Sequence, residues 1–274
     1  MNEKRRSLLR YALVLGVAAR SPIATAQERA ALGMAAALNL AGRQRMLAQR
    51  AAKAWILRGL ELLPAQASSI LAESLAAQKQ QLAELGSFQP NDSVRAARRG
   101  LEQVWEKYRA ALAQPAVLAN AQAVYDLSED AQERAHRLTL AYEMAASAPD
   151  RYRLINVAGR QRMLSQRAAK FYLLGVWGVN VPAARLEMNF SRAEFSSGMH
   201  QLDAAANADA SIRATVGELD RAWVTYRELF VSGRDGEFSR TVANQIAARS
   251  EEILGVSDRL VAQLERSVQA RTSK

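Results

Sequence analysis

Two stretches of this 274-residue chain gather the groups best suited to chemistry. Residues 39–53 read NLAGRQRMLAQRAAK and residues 156–170 read NVAGRQRMLSQRAAK, identical at thirteen of fifteen positions and 117 residues apart. On a helix, at about 100° per residue, Leu40, Leu47 and Ala51 share one side and read as an inward stripe. Arg45 falls on another side, among Ala41, Gly42, Ala48, Gln49 and Ala52, and Arg162 falls among Ala158, Gly159, Ser165, Gln166 and Ala169. Small neighbours let a second helix approach closely, which would leave each guanidinium at a helix–helix contact. An uncompensated charge there costs several kcal/mol or so, yet neither stretch contains an Asp or Glu. The missing negative charge is therefore expected to be a ligand. A guanidinium suits a planar oxyanion because its flat fork donates two parallel hydrogen bonds. Arg43, Arg50, Arg160 and Arg167 lie on a different side and are expected to face solvent or pair with distant carboxylates. A motif kept only for packing would tolerate more substitution than these two copies show.

Other chemistries find little support. The chain has no Cys, which removes disulfides, thiolate metal sites and a cysteine nucleophile. His136 and His200 are the only histidines and read as surface or helix-packing residues. There is no serine–histidine–acid pattern, metal-ligand cluster or glycine-rich phosphate loop, so neither an enzyme nor a cofactor is expected. The formal charge of +10 points to an anionic partner. The chain opens with a basic stretch (Lys4, Arg5, Arg6, Arg10), an apolar run Tyr11–Ala19 and the small-residue site Ala24-Thr25-Ala26, the layout of a secretory signal peptide. Arg5-Arg6 also resembles the twin-arginine export signal, and the general and twin-arginine routes both stay open. Cleavage near Gln27 would remove five basic residues and one acidic residue and leave +6. That charge is modest, and export is the wrong direction for nucleic acid, so no nucleic-acid partner is expected. The mature chain is expected to be soluble and periplasmic.

The elements that must position the motifs follow from composition and punctuation. Hydrophobic residues make up 49% and charged residues 23%, with only 14 Gly and 6 Pro, while Ala, Leu, Arg, Gln and Glu dominate, which points to an all-α protein. A second echo, Leu101, Trp105, Tyr108 and Arg109 against Leu219, Trp223, Tyr226 and Arg227, lies 118 residues apart, so a whole domain is duplicated. Pro64, Pro90, Pro115, Pro149 and Pro182 separate periodic segments. The helices read as 28–62, 65–85, 92–113 and 116–147, then 150–177, 182–206, 210–231 and 238–270, with Ser232-Gly233-Arg234-Asp235-Gly236 a turn. The expected architecture is two tandem antiparallel four-helix bundles, residues 27–148 and 149–274, after a signal segment 1–26. The Trp105/Tyr108 and Trp223/Tyr226 pairs are expected in the cores.

The motif Asn-x-Ala-Gly-x-x-Arg-Met-x-Ser-x-Arg resembles the P-box of bacterial nitrate/nitrite sensor kinases. It also resembles the N-terminal sensing domain of type IV pilus methyl-accepting chemotaxis transducers, the PilJ-type domain. The second copy matches through Asn156, Ala158, Gly159, Arg162, Met163, Ser165 and Arg167; the first departs only at Ala48, where serine is expected. The resemblance implies an extracytoplasmic four-helix sensor bundle, with nitrate held at a dimer interface by the arginine preceding the methionine. Carried over, those residues are Arg45 and Arg162, with Gly42 and Gly159 allowing close backbone approach. The relatives anchor the domain between two transmembrane helices and continue into signalling modules, none of which is read here.

The expectation is then that the first helices of the two copies pair about a pseudo-twofold axis and that Arg45 and Arg162 clamp one anion, nitrate or nitrite. Gln49, Gln166 and Ser165 would supply neutral donors. A homodimer with two sites is the alternative geometry to a monomer with an internal pseudo-dimer. Signalling would pass to a membrane-bound kinase, chemoreceptor or transporter. The other function class is a ligand-free helical module that docks onto a membrane receptor or pilus component.

Overall fold

The alanine-rich segments between the prolines form eight helices: α1 Met34–Gly59, α2 Pro64–Glu84, α3 Asp92–Leu112, α4 Leu118–Ala145, α5 Arg153–Trp177, α6 Val181–Ala205, α7 Ala210–Leu229 and α8 Arg240–Thr272. The structure is a computed structural model describing residues 32–206, 209–231 and 237–272, among which there is no strand. The expected signal segment 1–26 and the expected turn at 232–236 lie outside the described residues.

Each boundary has a local cause. Pro64 and Pro182 sit in the first turns of α2 and α6, where a missing N–H costs nothing. Asn91 caps α3 by accepting from the Val94 N–H at 2.9 Å, and Asp209 caps α7 through the N–H groups of Ser211 and Ile212. At the end of α5, Gly178 takes the left-handed conformation at φ 79°, which lets the chain turn sharply into α6.

Within each copy the helices run up and down. In the first, α1 packs against α2 and α4, and α4 against α3; in the second, α5 packs against α6 and α8, and α8 against α7. Trp105 and Tyr108 are fully buried, as are Trp223 and Tyr226, in line with their expected core role. Both tyrosines also reach the repeated motif: the Tyr108 hydroxyl donates to the Ala48 carbonyl at 2.8 Å, and Tyr226 donates to Ser165 at 2.9 Å.

The two copies are joined along α1 and α5, one of the most extensive helix contacts in the chain. The two helices run in the same direction. Near their starts Arg45 meets Asn156 and Arg162 meets Asn39, and near their ends Trp55 packs on Trp177 with ring centroids 5.6 Å apart. The described residues thus belong to one compact unit built around the pair. Among them no helix is long and apolar enough to cross a membrane.

Candidate functional site

Their central position changes the character of α1 and α5. From Ala41 to Leu57 every residue but Arg43 and Arg50 is buried, and from Ala158 to Gly175 every residue but Arg160. A helix wrapped on all sides has no solvated face. Of the two expected settings for Arg43, Arg50, Arg160 and Arg167, solvent or distant carboxylates, the structure shows the second for all four. Arg50 and Arg167 reach distant carboxylates, Arg50 pairing with Glu251 and Glu73, and Arg167 with Glu129 and Glu187.

At the seam the two motif arginines are brought together across the copies. Arg45 is 2% exposed and Arg162 1%. Arg45 Nη2 donates to Asn156 Oδ1 at 2.6 Å, and Arg162 Nη2 donates to Asn39 Oδ1 at 2.6 Å. Each asparagine hands the interaction on through its amide, Asn156 to Glu143 at 2.6 Å and Asn39 to Glu265 at 3.0 Å. Gly42 and Gly159 have a more specific role than general backbone approach. A Cβ on either would stand 3.2 Å from Nη2 of its own copy's arginine, so each glycine leaves room for a guanidinium folded back along the helix.

The pairing then departs from symmetry. Arg162 Nη1 donates to Asp258 Oδ1 of α8 at 2.8 Å, a direct ion pair that Arg43 joins from 3.4 Å. The absence of acidic residues from the motif thus does not leave Arg162 unneutralised, because a carboxylate from another helix supplies the charge. Arg45 has no such partner. Its other bond goes to the Gly42 carbonyl at 3.5 Å, and among the described residues its Nη1 finds no hydrogen-bond partner and no carboxylate lies within ion-pair distance. Burial, with Arg160 close by and Arg162 beyond, brings its pKa down from 12.5 to about 10, partly offset by Glu143. The guanidinium remains a cation at neutral pH.

A second layer lies about two turns further along. Lys53 and Lys170, the last residues of the two motifs, are fully buried. Lys170 donates to Glu129 at 2.6 Å and Ser128 at 3.0 Å; Lys53 donates to Glu251 at 2.6 Å and Ser250 at 2.7 Å. Each glutamate comes from the opposite copy, so the cages stitch the two halves together. Burial alone would push Glu129 and Glu251 up. Lys170 and Arg167 hold Glu129 down at about 2, and Lys53 and Arg50 do the same for Glu251. Burial brings Lys170 down to about 8.

The neutral donors expected to assist an anion are engaged in this packing. Gln49 Nε2 donates to Glu129 at 2.9 Å, Gln166 Nε2 to the Ser250 carbonyl at 2.8 Å, and Ser165 Oγ to the Arg162 carbonyl at 2.9 Å. The sequence reading did not single out Asn39, Asn156, Lys53 and Lys170 as site residues, although their identity in both copies was a usable signal. Glu129, Glu251 and Asp258 were missed because α4 and α8 have drifted apart. Ser128 and Ser250, Glu129 and Glu251, and Glu143 and Glu265 each stand 122 positions apart, a register visible only through their partners.

In chemical terms the seam offers one buried guanidinium, that of Arg45, whose hydrogen-bond partners are neutral acceptors. The family model described as Type IV pili methyl-accepting chemotaxis transducer N-term, PilJ, matches residues 28–130 and again residues 146–249. No curated protein and no solved structure matches the chain.

Proposed function

The chain belongs to the PilJ family, the N-terminal domain of type IV pili methyl-accepting chemotaxis transducers, twice over, and on that premise we propose that it is a sensor for a small oxyanion, nitrate or nitrite first. The observation that carries this reading is Arg45, buried at the α1–α5 seam with only neutral acceptors on its guanidinium. The anion is held where the motif arginines of the two copies meet. Arg45 is nearly sealed, so entry requires α1 and α5 to part slightly and closure follows on binding. An anion that favours one arrangement of the pair shifts the population toward it, and a separate membrane-bound partner, a kinase, chemoreceptor or transporter, reads the change. The protein works in the periplasm after removal of residues 1–26, and N-terminal sequencing of exported material should begin near Gln27.

The test is a thermal-shift panel with nitrate, nitrite, chloride and sulfate at matched ionic strength. Nitrate and nitrite should raise the melting temperature and chloride should not. Equal responses to every anion would point to general screening and remove the sensor reading.

The second reading, a docking module without a ligand, is favoured by apolar side chains left outside the core. Leu186 is 67% and Phe190 53% exposed one turn apart on α6, and Met144 is 86% exposed near the end of α4. It becomes the preferred reading if no anion stabilises the chain.

A further inference from the structure

The two halves of the seam differ at a register position that decides which arginine is neutralised from within the chain. The 122-residue register that relates α4 to α8 places His136 where the second copy has Asp258. In the second copy the Asp258 carboxylate lies on Arg162 Nη1 at 2.8 Å, so a planar anion built into the chain already occupies that place. In the first copy the corresponding register position carries an imidazole that feels the charge of Arg45, cannot neutralise it, and becomes a second cation on protonation.

We propose that the anion site is one-sided, with Arg45 and His136 receiving one planar monoanion while Asp258 permanently fills the equivalent place on Arg162. This inference rests on the oxyanion reading above and specifies which arginine binds and what regulates it. The charged groups that bear on His136 are Arg45 from α1, Arg160 from α5 and Glu133 from its own helix. Burial and Arg45 disfavour a proton on the imidazole; Arg160, itself paired with Glu194, adds to that, and Glu133 opposes it. The pKa of the His136 imidazole accordingly lies below its ordinary value. A bound anion reverses that balance, so binding takes up a proton and tightens as the pH falls. The Asp258 carboxylate on Arg162 is itself a planar monoanion, the shape and charge of nitrate or nitrite, whereas sulfate is a tetrahedral dianion.

The experiment is calorimetric titration of the full chain with sodium nitrate, using wild type, Arg45→Ala, Arg162→Ala, His136→Asp, His136→Gln and Asp258→Asn. Wild type should bind one nitrate per chain, several-fold tighter at pH 5.5 than at pH 8, with about tenfold the ceiling for one unit of pKa change on binding. His136→Asp supplies the missing carboxylate and should abolish binding, and His136→Gln should bind with a flat pH profile. Asp258→Asn frees Arg162 and should add a second nitrate. Because that variant leaves a buried cation uncompensated, nitrate should also raise its melting temperature more than that of wild type. Arg162→Ala should retain the wild-type site. Wild-type affinity in His136→Asp, or loss of binding in Arg162→Ala whether or not Arg45→Ala also loses it, would overturn the one-sided site and leave the sensor reading standing. No nitrate bound by either wild type or Asp258→Asn would overturn the oxyanion reading itself.

Discussion

Replacing Glu129 by Gln tests whether the swapped ion cages hold the two copies together. The substitution keeps the shape and removes one charge. Arg167 retains Glu187 at 2.7 Å, so the group left stranded is Lys170, fully buried and then without a carboxylate, its remaining acceptors the Ser128 hydroxyl at 3.0 Å and a neutral amide oxygen. Removing one partner of a buried pair costs about 3–5 kcal/mol, and the 25% exposure of the Glu129 side chain places the expected loss near the lower end, about 3 kcal/mol. Glu187→Gln removes a carboxylate that is 31% exposed and serves Arg167 alone, so its expected cost is about 1 kcal/mol or less. The double variant Glu129→Gln/Lys170→Met removes both charges and should recover most of the loss, because a neutral pair fills the same space without stranding an ion. Urea denaturation at pH 7, followed by circular dichroism, gives all four numbers. The reasoning is refuted if Glu129→Gln costs no more than Glu187→Gln, or if the double variant is as unstable as the single one.

Acid should open the same cages. Glu129 and Glu251 sit at about 2 in the folded chain against 4.5 when unfolded, so the unfolded state binds more protons between those values. Their contribution is complete above about pH 5 and is lost as the pH falls toward 2; melting temperatures measured across that range should drop, and more shallowly in Glu129→Gln. Gly42→Ala should separate stability from binding. The added Cβ, 3.2 Å from Arg45 Nη2, displaces a flexible guanidinium while removing a glycine from a helix interior. The melting temperature should hold or rise, by up to about 1 kcal/mol of stability, while nitrate affinity falls. Tyr108→Phe should cost about 1 kcal/mol in urea denaturation, the worth of its bond to the Ala48 carbonyl.

Much of the fold was legible because its punctuation is local. Pro64, Asn91, Pro182 and the alanine-rich runs between them set helix limits that agree with the structure to within a few residues at most ends; the beginning of α1 lies further in, at Met34. The pairing of α1 with α5 followed from a repeated motif whose small residues invite another helix. Legibility ended where partners came from far along the chain. Nothing in the local pattern ties Lys170 to Glu129 or Arg162 to Asp258, because those contacts depend on how α4 and α8 lie across the opposite copy. The motif's lack of acidic residues was a sound observation with two different resolutions: an internal carboxylate for Arg162 and none in direct contact for Arg45. Arg50 and Arg167, expected to face solvent or pair with distant carboxylates, do the latter, but which carboxylates they meet, Glu251 and Glu129, depends on the tertiary wrapping.

The most direct test of the central claim, that Arg45 holds an anion at this seam, is calorimetric titration of nitrate into wild type and Arg45→Ala side by side, with circular dichroism confirming that both are folded. The expected result is one nitrate per wild-type chain and none in the variant. Equal binding by the two proteins, or no binding by wild type, would contradict it.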